Sequence, residues 1–327
     1  MAVIKAAILG FGTVGEGVYE AVQTHQQQLQ DILDAEVQIV GVLIQDLEKN
    51  RSISEDVLVT TNFEEILNIP DLQVVFEAIV GEDPSYIYLE RAMEQGCDIV
   101  TANKVMFARH GERLLRKAYE QGVQIGYEAT VAGGVPIIRT LAHQLQVNKV
   151  ERIQAILNGT SNYILTEMRN KQLSFEEVLK TAQELGYAEA DPTNDVEGFD
   201  AFYKLMILSS LVFGSQPSWD EVNVKGISAV SNEQIEVAYN NGHRYKHIAE
   251  VTKKDGKILA SVSPVLTDAN HPLYNVEGVD NAILVQATLA GTITIQGPGA
   301  GSDPTASAMI EDFAHIFQKK KASYALN

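Results

Sequence analysis

The chain has 327 residues, 45% apolar and 21% charged, which is material for two ordinary domains with a core in each and excludes disorder as the starting reading. Its formal net charge of -18 would repel both nucleic acid and an anionic membrane face, so neither is an expected partner and any anionic ligand must be held by local donors. Cys97 is the one cysteine, which excludes an intrachain disulfide and points to the reducing cytoplasm.

The opening residues 1–10 carry Lys5 inside an apolar run and meet a glycine turn, with no basic leader and no small-residue cleavage site. They read as a strand and not as a secretion signal. Residues 3–9 then predict a strand, 14–33 a helix, and 38–43 and 74–78 two further strands; a helix follows at 84–95, a strand at 98–101, a helix at 111–121 and a strand at 124–127. Strand and helix periods taking turns predict a Rossmann-type doubly wound parallel sheet of the α/β class.

After Pro136 the pattern changes to amphipathic helices at 135–145, 162–169, 174–185 and 195–212. Beyond Gln234, segments 245–252, 257–265 and 282–296 alternate as antiparallel strands do. A second domain of mixed α+β type is expected here. The apolar run 205–214 is broken by Ser209 and Ser210 and falls short of the ~18 residues of a membrane span. Residues 305–318 read as a helix that folds back on the first domain. The expected division is 1–135 completed by 302–327, and 136–301.

Gly10-Phe11-Gly12-Thr13-Val14-Gly15 follows a strand and opens a helix, the context in which a G-x-G-x-x-G pattern signals a dinucleotide site. The first two glycines allow a tight turn and close approach of a pyrophosphate, the third allows close packing of helix on strand, and the helix N-terminus faces the anion. A plain glycine-rich turn is the competing reading. Asp46 ends the second strand, where an acid meets the adenosine ribose, although it lies further from Gly15 than the usual ~20 residues. An acid there favours NAD, whereas Lys49 and Arg51 just beyond could bind a 2'-phosphate, so the cofactor is NAD or NADP, written NAD(P).

Asp200 and Lys204 are spaced i, i+4 and share one helix face. Lys204 precedes Leu205-Met206-Ile207-Leu208, which places its amine near apolar surroundings, where burial lowers and the aspartate raises its proton affinity. The pair fits either an ordinary surface ion pair or a proton-exchanging site. Asn158-Gly159-Thr160 lies between a strand-like 153–157 and a helix, so its N–H groups could hold a carboxylate, with Thr160 or Ser161 as the helix cap. Lys104 follows a sheet strand, where open α/β folds keep their ligands, or else serves to cap a helix end by charge. The histidines, His143 and the His243/His247 pair included, lack Cys or acidic partners at transition-metal spacing.

Five stretches carry a resemblance across most of the chain. They are Thr101-Ala102-Asn103-Lys104, Glu128-Ala129-Thr130-Val131, Asn158 to Ile164, Gly186-Tyr187-Ala188-Glu189-Ala190-Asp191-Pro192 continuing to Asp195, Gly198, Asp200 and Lys204, and Gly297-Pro298-Gly299-Ala300-Gly301. Together they resemble the homoserine dehydrogenases, oxidoreductases that interconvert L-homoserine and L-aspartate-4-semialdehyde on the route to threonine, methionine and isoleucine. The resemblance implies that the second domain is an α+β substrate-binding and dimerisation domain, with the 234–296 stretch as the pairing surface of a homodimer, and it implies Lys204, Asp200 and Lys104 as catalytic residues. It implies substrate contacts from Glu189 on the amino group and from Asp200, Asn158, Gly159, Thr160, Tyr187 and Asp195. Cofactor contacts are implied for Gly10, Phe11, Gly12, Thr13, Val14, Gly15, Asp46, Thr101, Lys104, Gly186 and Gly301. Backbone carbonyls of Glu128, Val131, Gly133 and Val135 match a loop that binds a monovalent cation, commonly sodium, as a structural Na+.

Two departures stand out. Gln45 occupies a place where the family commonly has arginine, which weakens an NADP assignment by analogy. The chain ends soon after its last helix, so the regulatory domain of longer members, with its threonine feedback, is expected to be missing. Two rivals remain at this point: a dinucleotide-binding sensor without catalysis, and another amino-acid oxidoreductase on the same scaffold.

Overall fold

A computed structural model describes residues 2–324, which divide into two units: one takes the chain up to Gly133 together with the segment from Gly301 on, the other is Gly134–Ala300. In the first unit β1 (Ala2–Leu9) leads into α1 (Thr13–Thr24), α2 (Gln26–Leu33) and β2 (Ala35–Leu43), then β3 (Leu58–Thr60), α3 (Phe63–Leu67) and β4 (Leu72–Glu77). The unit continues through α4 (Ser85–Glu94), β5 (Asp98–Thr101), α5 (Lys104–Gln121) and β6 (Ile125–Gly126). All pairings are parallel, in the order β3-β2-β1-β4-β5-β6. Ala6, Ala7, Ile8 and Leu9 of β1 are all fully buried, so both faces of the sheet are covered, as a parallel sheet with crossover helices requires. The strand order reverses between β1 and β4, and such a switch point is where α/β sheets hold ligands.

Two details depart from the expected elements. The continuous helix at 14–33 is two helices, because His25 leaves the helical region at ψ 24° between α1 and α2. β3 and α3 fall where no element was expected; a three-residue edge strand is too short to show a period.

The second unit opens with a further departure. In place of a helix over 135–145 there is a single wide turn at Thr140–Gln144; Val135 stands before Pro136, which disfavours a helical start there. Then come β7 (Val150–Ile156), α6 (Gly159–Lys171), α7 (Phe175–Glu184), α8 (Thr193–Val196) and α9 (Phe199–Phe213), followed by β8 (Asn223–Val224) and α10 (Asn232–Asn240). Four strands close the unit: β9 (Arg244–Lys254), β10 (Lys257–Thr267), β11 (Asp280–Ala287) and β12 (Gly291–Pro298). The sheet runs β12-β11-β7-β9-β10-β8 and is antiparallel except for β8 on β10. Segment 282–296 is thus a hairpin of two strands, and the helix expected from Asp195 starts only at Phe199, because Gly198 turns the backbone left-handed at φ +89°.

The last helix, α11 (Ser302–Tyr324), belongs to the first unit. It lies against α1 where Gly17 leaves room: a side chain at 17 would come within 2.4 Å of the Ser302 hydroxyl. Met309, Phe313 and Ile316 complete a core with Ile8, Val18, Val37 and Phe76. Among the described residues no helix is long and apolar enough to cross a membrane.

Candidate active site

The turn after β1 shows three glycines with three different reasons. Gly10 sits at φ +89°, and a Cβ there would lie 2.8 Å from the Ala78 carbonyl. At Gly15 a Cβ would lie 2.0 Å from the Gly10 oxygen. Gly12 has an ordinary φ of -94°, and a Cβ on it would meet nothing within 4 Å. The fold therefore demands glycine at 10 and 15 but not at 12, where the open space a side chain would fill is the space a pyrophosphate needs. Because α1 starts at Gly12 without a side-chain cap, the first-turn N–H groups of Thr13, Val14 and Gly15 are available to an anion. The Phe11 side chain is buried and packs edge-on to Tyr19 at 5.7 Å, so only its backbone can face a ligand.

Asp46 lies in the loop beyond β2, exposed, its carboxylate accepting the Glu48 N–H at 2.9 Å. The Arg51 guanidinium donates to the carbonyls of Asp46 at 2.6 Å and Lys49 at 2.7 Å, so acid and base share one loop. Thr101 is fully buried, its hydroxyl donating to Glu77 at 2.6 Å and accepting the Asn103 N–H at 3.0 Å. It braces the sheet edge from within. Lys104 is the first residue of the 18-residue α5, whose cap is Asn103. A cation at a helix N-terminus opposes the dipole, so the capping role considered for it does not hold, whereas an anion bound there would suit both. Gly301, at φ +109°, precedes Ser302, whose hydroxyl donates to the Thr13 carbonyl at 3.1 Å beside the glycine turn.

In the second unit Lys204 and Asp200 are 7% and 2% exposed. The Lys204 ammonium donates to Asp200 Oδ2 at 2.8 Å and to the Leu157 carbonyl at 2.7 Å, which makes a surface ion pair the wrong description. Asn158 joins the cluster: its amide nitrogen donates to Asp200 Oδ2 at 2.9 Å and Asp195 Oδ1 at 2.7 Å, while its oxygen accepts the Ser161 N–H at 2.8 Å. Asn158 is therefore the cap of α6, not Thr160 or Ser161. Those two hydroxyls instead fasten the segment after α7, Thr160 donating to the Tyr187 carbonyl in the loop at 2.6 Å and Ser161 to the Asp195 carbonyl in α8 at 2.7 Å. A Cβ on Gly159 would lie 2.6 Å from the Val279 oxygen.

The same loop carries Gly186 and Glu189. Gly186 stops α7 at φ +76°, with the next N–H, of Tyr187, returning to the Ala182 carbonyl at 2.8 Å. The Tyr187 ring meets Tyr163 edge-on at 5.0 Å. Glu189 is exposed, and its carbonyl accepts from Gln183 at 3.1 Å. Sequence reasoning did not find the Leu157 carbonyl or Asn281, which also donates to Leu157 at 3.0 Å. Backbone acceptors carry no side-chain signal, and Asn281 arrives from a distant strand.

Glu128, Val131 and Val135 are each about 1% exposed, and Gly133 is buried with φ +49°. The Glu128 and Val135 carbonyls each accept one backbone N–H, at 3.4 and 2.9 Å. No cluster of three or more His, Cys, Asp or Glu side chains able to hold a metal occurs among the described residues.

A glycine turn shaped for a pyrophosphate and a buried lysine held by a carboxylate define a nicotinamide-dependent oxidoreductase of the α/β class. The homoserine dehydrogenase family matches residues 136–314, and the family of homoserine dehydrogenase NAD-binding domains matches residues 10–128. The homoserine dehydrogenase of Bacillus subtilis is 41% identical over 98% of this chain and 74% of its own length, and that of Lactococcus lactis 38% over 97% and 75%. A solved homoserine dehydrogenase from Thiobacillus denitrificans superposes with a TM-score of 0.93 at 37% identity, covering 98% of this chain and 75% of the other. A solved putative homoserine dehydrogenase from Archaeoglobus fulgidus gives a TM-score of 0.86 at 34% identity, covering 96% and 99%.

The chain belongs to the homoserine dehydrogenase family. Its activity is the NAD(P)-dependent interconversion of L-homoserine and L-aspartate-4-semialdehyde in amino-acid biosynthesis, and a sensor without catalysis is set aside.

Proposed function

We propose that Lys204 is the group that exchanges the proton of the substrate hydroxyl, with Asp200 as its orienting partner. The observation that carries this is the buried Lys204 ammonium held between Asp200 and the Leu157 carbonyl. In the reducing direction the ammonium donates to the oxygen that becomes the alcohol; in the oxidising direction the neutral amine accepts. Bound NAD(P) supplies or takes the hydride. Lys104 stands at the anion-favouring start of α5 and acts on the cofactor side. Glu189 receives the substrate ammonium, a charge-assisted pairing, and the N–H groups of Gly159 and Thr160 receive its carboxylate. Asn158, whose amide donates to both Asp195 and Asp200, shapes the pocket together with Asp195.

The dinucleotide rests on the Gly10 to Gly15 turn with its ribose toward Asp46. An archaeal relative at 26% identity was solved in complex with NADPH; here Asp46 favours NAD while Lys49 and Arg51 favour NADP. Turnover of homoserine with NAD and with NADP in parallel, followed by absorbance of the reduced nicotinamide, measures that choice and the activity together. A protein that oxidised another amino alcohol in preference would displace this reading. We further assign a structural sodium ion to the carbonyls of Glu128, Val131, Gly133 and Val135, tested by the sodium dependence of thermal stability. A homodimer through the 234–296 region is tested by sedimentation, and the reducing cytoplasm is the compartment that suits its single cysteine.

A further inference from the structure

Glu77, the last residue of β4, is fully buried, and none of the roles above uses it. Four neutral donors surround its two oxygens. Oε1 accepts the Ile79 N–H at 2.9 Å, the Ser85 hydroxyl at 3.0 Å and the Asn103 amide at 3.3 Å, and Oε2 accepts the Thr101 hydroxyl at 2.6 Å. No lysine or arginine pairs with Glu77 among the described residues. Burial raises its carboxyl above the ordinary carboxylate range, and the bonds from Thr101, Ile79, Asn103 and Ser85 offset that only in part. A carboxyl group buried with neutral partners alone is costly, which asks for a reason at this place.

The place is the carboxyl edge of the parallel sheet beside the switch point. One residue on, Ala78 is the backbone against which Gly10 is pressed, and its N–H donates to the Leu9 carbonyl at 2.8 Å. Through Thr101 and Asn103 the same carboxylate reaches the start of α5. Asn103 caps that helix by accepting the Met106 N–H at 3.1 Å, and its amide nitrogen also donates to the Gly81 carbonyl at 2.6 Å and the Ser85 hydroxyl at 3.2 Å. Lys104 is the next residue. The carboxylate thus ties the turn after β4, the start of α4, the end of β5 and the start of α5 to one point.

We propose that Glu77 is a positioning residue for the dinucleotide, fixing where Lys104 and the backbone behind the glycine turn stand when the cofactor binds. This rests on the assignment of that turn and of Lys104 to the cofactor.

The test is titration of purified enzyme with reduced dinucleotide, read by nicotinamide fluorescence, together with steady-state kinetics and thermal unfolding. Glu77→Gln puts a donor among donors and should raise the dinucleotide Kd and KM by roughly tenfold, with the KM for homoserine unchanged. Ser85→Ala, which removes one donor and keeps the charge, should move the same constants by about threefold. A Glu77→Gln enzyme that melts earlier yet binds dinucleotide normally, or that loses both KM values alike, would overturn the proposal. If that variant does not fold, an unchanged Kd in Ser85→Ala overturns it alone. Lys104→Ala tests the underlying assignment separately: unaltered dinucleotide binding there removes the cofactor role of Lys104, whatever Glu77 does.

Discussion

The glycine turn of the first unit and the Lys204 cluster of the second solve opposite problems with opposite means. In the proposed reading, residues 10–15 receive a multiply charged ligand with backbone N–H groups and with the absence of side chains, and the chain's net charge of -18 does not interfere because fixed dipoles act at short range. Lys204, proposed to exchange one proton at one atom, is held by side chains from the cap of α6, from α8 and from α9 that already bond each other. The first arrangement should therefore fail through added bulk and the second through lost donors.

The largest expected effect comes from the second region. Lys204→Ala should lower turnover by ~100 to 10,000-fold while the dinucleotide Kd stays unchanged; near-normal turnover would remove Lys204 from the mechanism. Asn158→Ala deletes a helix cap and two bonds to carboxylates, and should lower stability by about 2–3 kcal/mol by denaturant titration, with a fall in turnover besides. Gly12→Ala sharpens the contrast from the other side. It should leave the melting temperature in place, since a Cβ meets nothing there, and raise the dinucleotide Kd by about tenfold; a variant that binds normally would return the turn to a purely structural role.

The smallest effect concerns side-chain clustering away from the reaction. Glu277 accepts from Lys246 at 2.8 Å and from Arg169 and Arg244, each at 3.0 Å. Burial pushes its carboxyl up, but the bonds from Arg169 and Lys246 outweigh that and hold it at about 2. Since its folded value lies below its ordinary one of 4.5, its stabilisation is complete above that value and is lost as pH falls toward 2. Glu277→Gln should lower the melting temperature at neutral pH by on the order of 5 °C, and the difference from the parent protein should shrink on acidification. A difference that holds constant with pH would mean that shape, not charge, matters there.

Much of both sites was legible in the linear order of residues, because the signals were local. The strand-turn-helix setting of Gly10 to Gly15 and the i, i+4 spacing of Asp200 and Lys204 are each contained within a few residues, and local geometry turns such spacing into proximity. Reading failed where a backbone group or a distant partner was the cause. The bracing bond of Thr101 did not show, because its partner Glu77 lies on another strand. The cap of α6 went to Asn158, because only the fold brings Asp195 and Asp200 to its amide. The helix expected over 135–145 shrank to one turn because apolar periodicity does not weigh the restriction that Pro136 puts on the backbone of Val135.

From its order of residues alone this protein had its fold class, its glycine turn between strand and helix and the pairing of Asp200 with Lys204, since each depends on neighbours in the chain. Folding in three dimensions added the Leu157 carbonyl that holds the amine, the buried Glu77 knot and the distinction between Gly12 and its two companions. Those depend on atoms brought together from remote segments, where packing and desolvation, not periodicity, set what a residue can do.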